Sequence, residues 1–208
     1  MSDFPKFVEF REEGPREGFQ IEKKIYPIEE RVDLIDLLSD TGLKRIQVGS
    51  FVSPKYVPQM ADTGTLFQRI KRVPGVNYTA LWLNDKGFRK ALTAHEVDID
   101  PRLLFYPSDR FSRENNNASS MEMREKQREW VRLYKAEGLT VDAAYVMTAF
   151  GCNFEGEIPQ VMEARMAGPE IIHRNPNAHG AQGHQIVHFH AAGCQRCVLG
   201  DLDNDALR

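Results

Sequence analysis

The chain has 208 residues, 41% of them hydrophobic and 27% charged, with a formal charge of −3, which excludes disordered and fibrous classes and predicts an ordinary soluble globular protein. The acidic balance argues against a nucleic-acid partner, since such domains carry a basic excess. No run approaches the roughly 18 apolar residues of a membrane span, and "MSDFPKFVEF" lacks a basic segment followed by a long apolar one, so a cytoplasmic chain without a membrane partner is expected.

The predicted strands lie at residues 7–10, 45–51, 76–83, 97–106 and 141–149, each rich in Val, Ile, Phe or Tyr. Between the first two, "YPIEERVDLIDLLSDTGL" predicts a helix. Pro27 suits its first turn, Glu29 and Glu30 complement its positive end, and Gly42 stops it. "DTGTLFQRIKRV" places Leu66, Phe67 and Ile70 on one side of a second helix, and residues 84–94 make a shorter third. "SSMEMREKQREWVRLYKAEGL" begins a fourth, with Ser119 and Glu122 as a capping box and Gly138 as its stop. Its Met, Trp and Tyr stripe is assigned to packing.

Strand and helix in alternation predict successive βαβ units and a parallel sheet, either a (β/α) barrel or a doubly wound sheet. In both, ligands sit at the carboxyl ends of the strands. The loop "REEGPREGFQ" follows the first predicted strand and "SFVSPKYVPQMAD" the second. In the first, Arg16 could hold a carboxylate or oxyanion and Glu17 a hard divalent cation, while Gly14 and Gly18 would let backbone approach a ligand. Standing alone, the same residues are equally a solvated loop in which Arg and Glu pair with each other. "RENNNASS" reads equally as a ligand contact and as a capping loop.

The segments "EEGPREGFQIEK", "GLKRIQVGSFVSPKYVPQMAD", "FSRENNNAS" and "AFGCNFEGEI" together resemble, in order, the motifs of the 3-hydroxy-3-methylglutaryl-CoA lyase family, within the pyruvate carboxyltransferase group of metal-dependent aldolase-type barrels. The resemblance covers roughly residues 6–158. It implies an α/β fold of (β/α) TIM-barrel type, incomplete at about five to six βα units. The implied reaction is retro-Claisen cleavage of a 3-hydroxyacyl-CoA to acetyl-CoA and a keto acid, with Mg or Mn as the divalent metal. Arg16 falls on the family's catalytic arginine. Glu17 falls on its acidic metal ligand, usually Asp in these lyases. Gln20 joins Arg16 among the catalytic positions, Lys23 and Ser50 match polar substrate-binding ones, and Gln47 stands where the lyases tend to have Glu. An acyl-CoA substrate is the implied partner, and homo-oligomerisation is compatible with it.

From residue 160 the character changes: Phe189 is the one aromatic, and five of the six histidines and two of the three cysteines fall here. The expected organisation is therefore a barrel-like domain at 1–159 and an atypical, poorly ordered tail at 160–208, the break a change of reading frame would produce. His188 and His190 in "QIVHFHAAG" alternate as on a strand and match the family's later pair of metal ligands, although Ala191 and Ala192 depart from its pattern. The same histidines with Cys194 and Cys197 could instead form a zinc-binding tail module. A third possibility is a non-catalytic barrel fragment that acts through chain association, covering its open sheet edges with another chain. Cys152 is expected to be a packed structural thiol.

Overall fold

The computed structural model describes residues 10–141, 143–148, 151–158 and 187–190. The chain divides into two compact units, Met1–Asp100 and Pro101–Arg208.

In the first unit three parallel strands stand in the order β1 (Arg11–Glu12), β2 (Arg45–Ser50), β3 (Asn77–Leu81). The predicted first strand at 7–10 lies outside the described residues apart from Phe10; among the described residues pairing begins at Arg11, which lies opposite Arg45. At the amino ends of β1 and β2 the buried Asp100 carboxylate faces both arginines, 2.7 Å from Arg45 and 3.9 Å from Arg11. Two adjacent cations sharing one buried carboxylate favour that register.

The segment after β1, expected to be a loop, is largely a short helix, α1 (Gly14–Gln20). Pro15 is the reason: its fixed φ suits a first helical turn, and the Glu13 carbonyl then accepts from the N–H groups of Arg16 and Glu17. Helix α2 (Ile28–Ser39) follows the expected pattern and ends before Gly42, whose φ of +89° is open to glycine. After β2 come a short 3-10 helix (Pro58–Met60) and α3 (Thr63–Arg69), whose Leu66 and Phe67 are buried as expected. Helix α4 (Asp85–Thr93) is capped by the Asn84 side chain. Ile35 from α2, Ile46 and Val48 from β2, Leu66 and Phe67 from α3, and Tyr78 from β3 make one apolar core.

The second unit repeats the arrangement with β4 (Arg102–Phe105), β5 (Ala143–Met147) and β6 (Val187–His190), parallel and in that order. The predicted strand at 97–106 shortens to β4. Residues 109–116 form a helix, α5 (Asp109–Asn116), which takes in the first half of "RENNNASS", while Ser119 in its second half caps the helix that follows. The Ser108 hydroxyl caps it, and Asn117, which tolerates a φ of 51°, ends it. Helix α6 (Ser120–Ala136) carries the predicted capping box, complete in both directions. Met123 and Tyr134 are buried on its inner face, Trp130 stacks on Tyr134, and Gln127 accepts from the Leu104 N–H at 3.0 Å.

The expected boundary at 159/160 lies outside the described residues, as does the tail apart from residues 187–190. Cys194 and Cys197, half of the zinc alternative, lie outside them too. The strand alternation read in "QIVHFHAAG" is present as β6: His188 lies opposite Tyr145, and His190 opposite Met147. Among the described residues no helix is long and apolar enough to cross a membrane.

Candidate functional site

The carboxyl ends of β1 and β2 bring together the residues singled out from the first loop. Arg16 projects from α1 and is buried, its side chain 7% exposed. Each edge of its guanidinium has a partner. The Nε–H donates to the Gln47 amide oxygen, Nη2 lies 2.9 Å from the Glu13 carboxylate, and Nη1 lies 2.7 Å from that of Glu17. A planar fork of donors held on three sides has little freedom to turn. The Arg–Glu pairing that a bland loop would show is thus present, but around a guanidinium withdrawn from water.

The three partners are not equivalent. Gln47 is a buried, neutral side chain in the middle of β2. Glu13 is 21% exposed, and its carbonyl is fixed by the first turn of α1. Glu17 is 48% exposed and sits in that first turn, where the helix dipole favours its charge. Gln20 is half-buried at the last position of α1, and Lys23 is exposed beyond it. Ser50 closes β2; its hydroxyl is buried and has no hydrogen-bond partner among the described residues.

Two participants were missed from the sequence. Glu13 looked like one more charge in a charged loop, and only its place at the start of α1 turns it towards Arg16. Thr79 lies opposite Gln47 on β3, and its hydroxyl is also buried without a partner among the described residues. Its signal, a polar residue inside an apolar strand, is common to many cores.

The segment after β2 is tied down beside this site. Arg31, from α2, is fully buried. Its Nη1 donates to the Gln59 carbonyl at 2.9 Å and the Asp62 carboxylate at 2.6 Å, and its guanidinium lies 5.7 Å from the Phe19 ring of α1. The Gln59 side chain in turn donates to the Glu22 carbonyl at 2.6 Å. A cavity of about 250 Å³ opens alongside, lined by Ser50, Phe51, Thr63 and Lys90 among others.

The second unit has its own polar cluster, where the loops after β4 and β5 meet. The Ser108 hydroxyl donates to the Glu155 carboxylate and lies 3.0 Å from the Cys152 sulfur, which also accepts from the Phe154 N–H at 3.4 Å. Burial, the largest single influence, pushes the Cys152 thiol up. Hydrogen bonding with Ser108 and with the backbone at Phe154 and Glu155 more than offsets it, leaving the thiol below its ordinary value. Cys152 is buried and free, as a packed thiol would be.

The resemblance implies a divalent ion held by Glu17, His188 and His190. Among the described residues no three His, Cys, Asp or Glu side chains gather to hold a metal, and one oxygen of Glu17 is already engaged by Arg16. The side chains of His188 and His190 lie outside those described, so of the three ligands the resemblance implies, Glu17 is the one the structure places.

Each unit is built of parallel βα repeats, as in α/β barrel proteins, and the class of protein follows from known relatives. The crystal structure of hydroxymethylglutaryl-CoA lyase from Pseudomonas aeruginosa superimposes with a TM-score of 0.71 at 37% identity, over 78% of this chain and 53% of that one. A hydroxymethylglutaryl-CoA lyase from Acinetobacter baumannii, solved in complex with coenzyme A and 3-methylmalate, gives 0.67 at 32% identity, over 78% and 52%. The mitochondrial hydroxymethylglutaryl-CoA lyase of Bos taurus is 41% identical over 158 residues, 76% of this chain and 48% of the relative. The curated relatives include forms named mitochondrial and forms named cytoplasmic. No family model matches. The chain is a hydroxymethylglutaryl-CoA lyase-like protein, and it spans about half the length of the curated relatives it matches.

Proposed function

We propose that this protein cleaves a carbon–carbon bond in a 3-hydroxyacyl-CoA of the 3-hydroxy-3-methylglutaryl-CoA type, releasing acetyl-CoA and a keto acid, here acetoacetate. The observation that carries the reading is the buried, three-sided hold on Arg16 at the carboxyl ends of β1 and β2. The similarity to hydroxymethylglutaryl-CoA lyases supports it.

In such a cleavage the substrate hydroxyl gives up its proton to a base, and the carbon–carbon bond breaks. Its electron pair passes to the thioester as an enolate, and a proton returned to carbon completes the acyl-CoA. Arg16 is assigned to the enolate oxygen, because a pre-oriented guanidinium in a water-poor site stabilises charge as it develops. Gln20, Lys23, Gln47 and Ser50 are proposed to meet the polar groups of the substrate. Ser50 is the best supported of them, since its buried hydroxyl has no protein partner among the described residues. A divalent ion, Mg or Mn, would supply Lewis acidity at the substrate hydroxyl, and Glu17, His188 and His190 are the ligands the resemblance assigns. A cytoplasmic setting completes the reading.

The test is release of acetyl-CoA from 3-hydroxy-3-methylglutaryl-CoA by the purified chain with Mg or Mn. Turnover is expected, and Arg16→Met should lower kcat by about 10²- to 10³-fold, the usual cost of removing one oxyanion donor. Absence of turnover by the unsubstituted chain with either ion would overturn the reading.

A further inference from the structure

We propose that Thr79 is a ligand-binding residue: its hydroxyl, with the Gln47 amide beside it, forms the floor of the site and donates to a carboxylate oxygen of the bound acid. The proposal rests on the lyase reading for its ligand class, a small hydroxy acid carried as a thioester.

Strand β3 itself poses the problem. Its side chains alternate between two faces. Tyr78 and Ala80 belong to the apolar core shared with α2 and α3, so Thr79 and Leu81 lie on the opposite face. Thr79 is 1% exposed, and its hydroxyl has no hydrogen-bond partner among the described residues. A hydroxyl taken out of water without a partner destabilises a fold, whereas a valine of the same shape would bury there without that penalty. Packing alone gives no reason for a hydroxyl at this position.

The register shows what surrounds it. Thr79 lies opposite Gln47, and Leu81 opposite Ser50, so these four side chains share one face of the β2–β3 pair. Gln47 and Ser50 are three residues apart, a spacing that strict alternation would put on opposite faces. The irregularity between Gln47 and Gly49 brings them to the same one. Gln47 and Thr79, both buried, form the deeper level. About 7 Å further towards the carboxyl ends stand Ser50 and the half-buried Leu81.

The Ser50 hydroxyl is also buried without a partner among the described residues. Two such hydroxyls at successive levels of one face mark the line along which a short acid enters. At its floor the Gln47 amide and the Thr79 hydroxyl offer donors and carry no charge, so they meet a carboxylate without a competing anion.

The consequence is a pair of opposite effects. Thr79→Val should raise the urea midpoint of the ligand-free protein, because a buried hydroxyl without a partner is removed at constant shape. The same change should weaken the ligand that satisfies this hydroxyl. A merely structural hydroxyl gives the reverse, a lower midpoint with unchanged affinity. The experiment is urea denaturation, together with calorimetric titration of the full chain with 3-hydroxy-3-methylglutarate in Mg-containing buffer, for the unsubstituted protein, Thr79→Val and Thr79→Ser. Thr79→Val is expected to bind roughly five- to tenfold more weakly, the scale of one hydrogen bond. Thr79→Ser keeps the hydroxyl and should bind within about twofold of the unsubstituted protein.

Unchanged affinity or a lowered midpoint in Thr79→Val would overturn the proposal, and failure of that variant to fold counts as a lowered midpoint. An equal loss of affinity in Thr79→Ser, or no binding by the unsubstituted protein, would overturn it too. Turnover of 3-hydroxy-3-methylglutaryl-CoA, measured separately with Mg or Mn, distinguishes the two claims. Hydroxyl-dependent binding without turnover leaves Thr79 as a ligand contact and removes the lyase reading; turnover with unchanged binding in Thr79→Val does the reverse.

Discussion

Replacing Arg31 by Ala should destabilise the first unit by about 3 kcal/mol and loosen the segment from Phe51 to Asp62. The side chain is 1% exposed, and its guanidinium joins α2 to both the Gln59 carbonyl and the Asp62 carboxylate. Breaking a buried ion pair from one side costs about 3–5 kcal/mol when the abandoned partner stays dry. Asp62 is 35% exposed and can rehydrate, which places the electrostatic part at or below the lower bound. Loss of packing against Phe19 and Met60 restores part of the difference. Arg31→Lys keeps the charge but not the fork, so about half the loss should remain. Urea denaturation gives the free energies, and hydrogen exchange at the Met60 amide, which donates to the Val57 carbonyl at 3.1 Å, reports on the segment. A loss below about 1 kcal/mol for Arg31→Ala, with unchanged exchange at Met60, would refute the assignment of Arg31 as the tie between these elements.

Gly49→Ala should cost about 1–3 kcal/mol, because the new Cβ would lie 2.7 Å from the Thr63 hydroxyl, which cannot retreat without losing its bonds to the Ser50 N–H and the Met60 carbonyl. Adding Thr63→Ala should make the pair clearly less than additive in a double-mutant cycle, and strict additivity would refute the clash. In the second unit the Asp109 carboxyl is held below its ordinary value, first by the Ser120 N–H and then by Arg113. A depressed carboxylate stabilises the fold above its unfolded pKa, near 4, and the benefit is lost as pH falls through the depressed value. The stability gap between the unsubstituted protein and Asp109→Asn should therefore be constant at neutral pH and shrink on acidification below about pH 4. A gap that persists down to pH 2 would count against it.

The fold was legible where periodicity and caps spoke together. Helix α6 was announced by Ser119 and Glu122 at one end and Gly138 at the other, and α2 by Pro27, Glu29 and Glu30 at its start and Gly42 after its end. Legibility failed in short polar elements. Helix α5 has one buried residue, Ser112, so no apolar stripe betrays it; its stability comes from the Ser108 cap and the Asp109 and Arg113 pair. Helix α1 was hidden in the same way behind charges and glycines, with Pro15 as the one residue that favours a helical first turn.

The site shows a different limit. Arg16 and Glu17 could be picked out because two oppositely charged residues in a strand-end loop suggest a pocket, and Gln47 because it departs from the pattern of similar proteins. Glu13 could not, since its importance is a matter of direction: three residues before Arg16 in a helical turn it faces the guanidinium, whereas in an extended loop it would face elsewhere. Recognising α1 as a helix and recognising Glu13 as a partner of Arg16 are therefore one inference. Pro15 sets the first turn, and the turn aims Glu13 and Arg16 at each other. Gln47 on β2 then fixes the remaining edge. A substitution that unwinds α1, such as Pro15→Gly, should weaken the grip on Arg16 without touching any of the residues that make it.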